Sequence, residues 1–152
     1  MTRAFVWAVL MGLVATAATA QLPGLRKRTG PPVAQQAAPL TGVDALRADF
    51  MAKSGGDTIF FGMNSAVLGP PARASLAAQA MWLRQHPEVA ARVEGHGDPG
   101  DTRDHALAVG ATRAESVRDY LVLLGVPAAQ VSTTSWGKER PGSPRAQTVL
   151  VP

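Results

Sequence analysis

"VEGHGDPGDTRDHALAVGATRAESV", residues 93–117, begins as a strand and breaks into a turn carrying Gly95, Gly97, Pro99 and Gly100. It then runs on as a helix with Arg113 beside its apolar stripe. The stretch predicts a strand–turn–helix unit, and it gathers His96, Asp98, Asp101, Asp104 and His105 between Glu94 and the first helical turn.

Outward from this unit the same alternation repeats. Upstream, residues 57–61 ("DTIFF") are β-branched and aromatic and read as a strand closed by Gly62. Pro70-Pro71 then opens a helix whose apolar positions Ala72, Leu76, Ala80 and Leu83 keep helical spacing, with Pro87 just beyond its end. A strand over residues 90–95 enters the turn. The following helix is expected over residues 103–124, with Leu107, Gly110, Ala114, Val117, Leu121 and Leu124 as one continuous buried face. Gly125 and Pro127 stop it. Residues 131–136 and 148–151 read as closing strands. The fold class is α/β, an α+β sandwich of order βαβαββ with two helices packed on one mixed sheet. A short helix in "VDALRADFMAK", stopped by Gly55-Gly56, precedes it.

The ends of the chain are of a different kind. Residues 1–20, "MTRAFVWAVLMGLVATAATA", have a basic start, an apolar run and Ala18-Thr19-Ala20 before Gln21, the pattern of a cleaved secretory signal. Residues 21–42 are rich in Pro, Gly, Gln and Ala and read as a flexible tether, which leaves residues 43–152 as the domain. The sequence contains no cysteine, so disulfides and a cysteine-borne lipid are not expected. After signal cleavage no membrane span is expected, and the mature protein is expected in the periplasm.

The net charge of +4 is misleading. Arg3 lies in the signal and Arg26, Lys27 and Arg28 in the tether, so basic and acidic side chains balance from Val43 onward. A neutral domain argues against nucleic-acid binding, which needs a basic face.

The cluster in the quoted stretch admits several readings. His96, Asp98 and His105 lack the spacing of a structural zinc site, and the acidic positions do not follow a calcium loop, so no metal is expected. No nucleophile elbow is present and no serine is placed to pair with His96, so no enzyme activity and no cofactor are expected. A plain alternative for His96 is a packed or turn-capping histidine. One carboxylate, Asp98, on a glycine-rich loop and one guanidinium, Arg113, on the next helix would suit a zwitterionic ligand. The same pair would equally make a structural salt bridge, and spacing alone leaves both open. Neither residue falls on the apolar stripe, so replacing either is expected to spare the fold.

"VEGHGD", the "RA" fifteen residues after its aspartate, "YLVLLGVPAAQV" and "GKERP" together resemble the OmpA-like peptidoglycan-binding domain, and within it the peptidoglycan-associated lipoproteins. "DTIFFGMNSAVLGPPARASLAAQAMWLRQHPEV" is similar to that family's first strand and helix. The resemblance implies a noncatalytic domain that grips the diaminopimelate of a peptidoglycan stem peptide, outside the inner membrane and beside the outer membrane or cell wall. Asp98 and Arg113 would hold the ligand's charged ends, with Phe61, Gly62, His96 and Gly97 lining the pocket. The chain departs from the family at Ala106, where asparagine is usual, and at Ala146 and Gln147, where arginines are usual. The alternative the resemblance leaves is a degenerate domain acting through a protein partner such as a Tol-system component.

Overall fold

The computed structural model describes residues 42–140, 142 and 144–151. The expected signal segment and tether lie outside them, apart from Gly42, which begins the first helix. The elements are α1 (Gly42–Ser54), β1 (Thr58–Phe60), α2 (Pro70–Gln85), β2 (Ala90–His96), α3 (Arg103–Leu123), a 3-10 turn at Ala128–Gln130, β3 (Val131–Gly137) and β4 (Arg145–Val151).

Four strands form one mixed sheet in the order β1-β4-β2-β3. β4 inserts between β1 and β2 and runs antiparallel to both, while β2 and β3 pair in parallel through the α3 crossover. Strand alternation then divides the faces. Ile59, Ala91, Val93, Ala146 and Leu150 point into the core with Leu76, Leu83, Val117 and Leu121 of the helices. Arg92, Glu94, His96 and Arg145 belong to the other face. The expected βαβαββ order is present, and α1 adds a third helix. It docks on α2 through Phe50, whose ring meets Trp82 edge-on at 5.2 Å, and through Asp49, which accepts a 2.7 Å hydrogen bond from the Trp82 indole.

The ends of α3 follow local rules. The Thr102 hydroxyl accepts from the His105 N–H at the N-cap. At the other end Gly125 takes φ 90°, its N–H bonds Val122 and the Val126 N–H bonds Leu121, which is a Schellman closure. The buried stripe differs from the one read in the sequence. Ala106, Gly110, Arg113, Ala114, Val117 and Leu121 face inward, whereas Leu107 is 48% exposed and Leu124 only partly buried. The cause is close packing. α3 lies against the backbone of β2 and β3, with the Ser135 hydroxyl bonded to the Leu107 carbonyl at 2.7 Å. Only small side chains fit there, and the leucine is turned out. Among the described residues, no helix is long and apolar enough to cross a membrane.

Candidate functional site

β2 ends in the turn that carries Gly97 and Asp98, and α3 brings Arg113 alongside. The guanidinium and the carboxylate meet at 2.8 Å. Both are buried: Arg113 is 0% exposed and Asp98 2%. Arg113 thus belongs to the buried stripe, which corrects the expectation that it lies beside the apolar positions and off the stripe. Its remaining donors meet main-chain carbonyls. Nε donates to Ser65 at 2.8 Å, Nη1 to His96 at 2.8 Å, and Nη2 to Gly62 at 2.9 Å as well as to Asp98. Four of the five guanidinium N–H groups are therefore engaged. The other oxygen of Asp98 accepts the main-chain N–H of Asn64. Burial pushes the Asp98 carboxyl up, but the Asn64 N–H and the Arg113 guanidinium outweigh it and hold the group below its usual 3.8.

The loop over this pair is the part that sequence reading missed. Residues 62–65 cross above the guanidinium, with Gly62 and Asn64 exposed to solvent. Asn64 sits at φ 48°, the left-handed region that asparagine tolerates better than other side chains. Its N–H reaches Asp98, and its side-chain oxygen lies 3.1 Å from His105 Nε2. His105 also sits 3.6 Å from Asp101. A lone asparagine in "FGMNSA" was the available signal, since such residues mark turns.

The other expected pocket residues divide between two sides of the sheet. The Phe61 ring underlies the guanidinium at 5.6 Å, and Gly62 contributes its carbonyl. Gly97 packs against the start of α3 so closely that a Cβ would stand 2.3 Å from the Ala106 carbonyl oxygen. Ala106 is itself 0% exposed, so the departure from asparagine falls at a closed position. His96 offers its carbonyl to Arg113, but its side chain is on the opposite face. His96 therefore does not converge with Asp98, whereas His105 lies on the Asp98 side, joined to it through Asn64 and helping to lower the Asp98 pKa. Among the described residues no group of three or more histidine, aspartate or glutamate side chains is placed to hold a metal.

Burial, helped by the Arg145 charge and opposed by Glu94, lowers the His96 pKa from 6.5 to about 4. A base with a depressed folded pKa stabilises fully above its unfolded value and loses that contribution as pH falls through the folded one. Unfolding free energy is expected to drop by at most about 1.4 kcal/mol per pH unit between 6.5 and 4 from this group, or about 3 kcal/mol in all. Urea titrations at pH 7, 5.5 and 4.5 check this against His96→Gln, whose pH slope should be flatter. Identical slopes would remove His96 as the cause.

Comparison with known proteins adds a lineage to this geometry. The model of the OmpA family matches residues 60–149. A peptidoglycan-associated lipoprotein of Mesorhizobium japonicum is 48% identical over 86 residues, which cover 57% of this chain and 51% of that protein. One from Agrobacterium fabrum is 46% identical over 86 residues, covering 57% and 49%. The chain therefore spans about half the length of the curated relatives it matches. The crystal structure of the peptidoglycan-associated lipoprotein from Burkholderia pseudomallei superposes with a TM-score of 0.62 at 32% identity, covering 64% of this chain and 92% of that one. The C-terminal domain of Helicobacter pylori MotB shares the fold at a TM-score of 0.56 and 21% identity, covering 61% and 81%.

Proposed function

The chain belongs to the OmpA family, and from that membership we propose that it is a noncatalytic cell-envelope protein that binds peptidoglycan noncovalently. Diaminopimelate of the stem peptide is the group recognised, and the periplasm is the place. The observation that carries this reading is the Asp98–Arg113 pair at 2.8 Å under a solvent-facing loop.

The loop groups already on the pair have the polarity of a zwitterion. An N–H occupies Asp98, as an ammonium would, and the carbonyl oxygens of Gly62 and Ser65 occupy Arg113, as a carboxylate would. Binding is an exchange: the ligand's ammonium replaces the Asn64 N–H and its carboxylate replaces the two carbonyls. Residues 62–65 move outward for this, while the His96 carbonyl keeps its bond to Nη1. The net affinity is the difference between the two sets of bonds, further reduced by the fraction of time the loop is open. Free diaminopimelate therefore binds weakly, and a sacculus presenting many stem peptides binds far better.

Co-sedimentation with purified sacculi tests the reading. The protein is expected to pellet with sacculi, free diaminopimelate to release it, and no muropeptides to appear in the supernatant. Asp98→Asn keeps the shape of the side chain but leaves the ligand's ammonium without a counter-charge. Among molecules still folded by circular dichroism, binding is expected to fall about tenfold to a hundredfold, the loss of one or two hydrogen bonds to a charged group. Equal sedimentation of folded wild type and Asp98→Asn would sink the diaminopimelate assignment. No sedimentation at all would favour the partner-binding alternative, for which Met63 and Val67, 79% and 76% exposed on the same loop, supply an apolar contact.

A further inference from the structure

His105 stands in the first turn of α3, where its main-chain N–H is held by the Thr102 hydroxyl. Its ring faces two acceptors. Nε2 lies 3.1 Å from the Asn64 side-chain oxygen and 3.6 Å from Asp101 Oδ2. Two oxygens on one side make Nε2 the nitrogen that carries the proton, and one N–H serves only one of them at full strength. At these distances it serves Asn64. Asp101 Oδ2 is left shielded from solvent without a hydrogen bond, although an unmet buried acceptor costs more than a bond returns. Asp101 is itself fixed by main-chain bonds: its N–H donates to the Asp98 carbonyl at 3.3 Å, and its carbonyl accepts Lys138 Nζ at 2.6 Å.

Asn64 rides instead on the loop that lifts for the ligand. Three of the hydrogen bonds that cross from residues 62–65 to the β2 turn and α3 end on the ion pair: the Asn64 N–H on Asp98, and the Gly62 and Ser65 carbonyls on Arg113. The ligand replaces these in kind. The bond between Asn64 and His105 has no such replacement, so its loss opposes opening unless another acceptor takes the same N–H. Asp101 Oδ2 is that acceptor. A shift of about half an ångström brings it within hydrogen-bond range, and the His105 side chain, half exposed, has room to turn.

We propose that His105 is a positioning residue, a two-position latch that sets how often the Asp98–Arg113 site is open. With the loop down, its N–H holds the Asn64 side chain. With the loop up, the same N–H holds Asp101 Oδ2, and the acceptor left empty in the closed form is met. One bond is made as the other breaks, and the carboxylate is the stronger partner, so the two forms stay close in free energy. A latch through Asn64 alone would deepen the closed form and weaken every binding event. The inference rests on the peptidoglycan reading and adds to it the regulation of the same site. Apparent affinity is set by the latch as well as by the groups that touch the ligand.

Two substitutions isolate the two positions. Asn64→Gly suits the left-handed backbone at φ 48° and removes the acceptor of the closed form. Asp101→Ala removes the acceptor of the open form. Amide hydrogen exchange at position 64, followed by NMR on the full chain without ligand, reads how often the loop lifts from Asp98. Corrected for the intrinsic rate of each residue type, exchange is expected to quicken about twofold to fivefold in Asn64→Gly and to slow by about the same factor in Asp101→Ala, the worth of one hydrogen bond. Co-sedimentation with sacculi is expected to follow, tighter in the first variant and weaker in the second. In a His105→Phe background, which keeps a ring but no donor, Asp101→Ala is expected to change neither readout, and Asn64→Gly to keep only the loosening that glycine brings. Equally weakened binding by Asp101→Ala with and without His105 makes Asp101 a ligand contact and overturns the latch. Exchange at position 64 unmoved by either substitution overturns it too. Exchange that shifts with no matching shift in binding overturns the gating role and leaves the peptidoglycan reading standing. No sedimentation of wild type overturns that reading and the gating role together.

Discussion

Arg113→Ala is expected to destabilise the domain by about 3–5 kcal/mol, the cost of removing one partner from a buried ion pair. Three losses coincide. Asp98, 2% exposed, keeps a charge with no guanidinium beside it. The carbonyls of Gly62, Ser65 and His96 lose their donor together. A cavity opens in the buried face of α3, where Arg113 is among the largest fully buried side chains. Against a typical total of about 5–15 kcal/mol, that is a large share. Arg113→Lys is expected to recover little, since one ammonium cannot reach four acceptors held in a plane around a guanidinium. Asp98→Asn combined with Arg113→Ala removes the orphaned charge and is expected to be more stable than Arg113→Ala alone. Urea unfolding of the three variants measures this. A midpoint for Arg113→Ala indistinguishable from wild type would show the pair to be dispensable for folding. The practical consequence is that lost sacculus binding by Arg113→Ala says nothing about ligand contact unless the variant is shown to be folded.

The sequence suggested the opposite, that Arg113 could be removed with the fold intact, and the reason is instructive. A period of three and four placed Ala114 inward and Arg113 at the margin of the stripe, where arginine ordinarily turns to solvent. What draws it inward is a set of main-chain carbonyls from a loop 48 residues away, and backbone orientation in a loop leaves no periodic trace. The same limit applied to Glu94. Nothing in "VEGH" marks it as buried, yet Arg140 from the turn before β4 covers it, while the His96 side chain takes the packed place that the sequence had offered as its plain alternative. Strand and helix order, the Pro70-Pro71 start and the Gly125 stop were legible because each depends on neighbours in the chain. Asp98 and Arg113 were legible as a pair, while the loop that fills them was not. Leu107 failed for a steric reason: its helix rests on glycine backbone, and an apolar residue at the right spacing had no space to enter.

That contact between backbones yields the other large effect. Gly95→Ala is expected to cost about 3–5 kcal/mol, above the usual 1–3 kcal/mol for an overpacked core, because no flexible atom can yield. The new Cβ would stand 1.8 Å from the Gly110 carbonyl oxygen and 2.7 Å from its carbon, with the Ala114 Cβ at 3.1 Å. Both chains are backbone in regular structure, so relief requires α3 to lift bodily from β2. Lifting it draws Val117 and Leu121 from the core and pulls Arg113 away from the His96 carbonyl and Asp98. The reciprocal change separates this mechanism from a general intolerance of added volume. At Gly110 a Cβ would meet the Ser135 hydroxyl at 2.5 Å but the Gly95 backbone only at 3.1 Å. The hydroxyl can rotate away at the cost of its bond to Leu107, and alanine in a helix interior recovers up to about 1 kcal/mol over glycine. Gly110→Ala is therefore expected to cost about 1–2 kcal/mol, clearly less than Gly95→Ala. Chemical denaturation of both variants gives the ordering. If the two were equally stable, or Gly110→Ala the worse, α3 would not rest on β2 through the Gly95 backbone, and the close approach that excludes Leu107 from the core would need another cause.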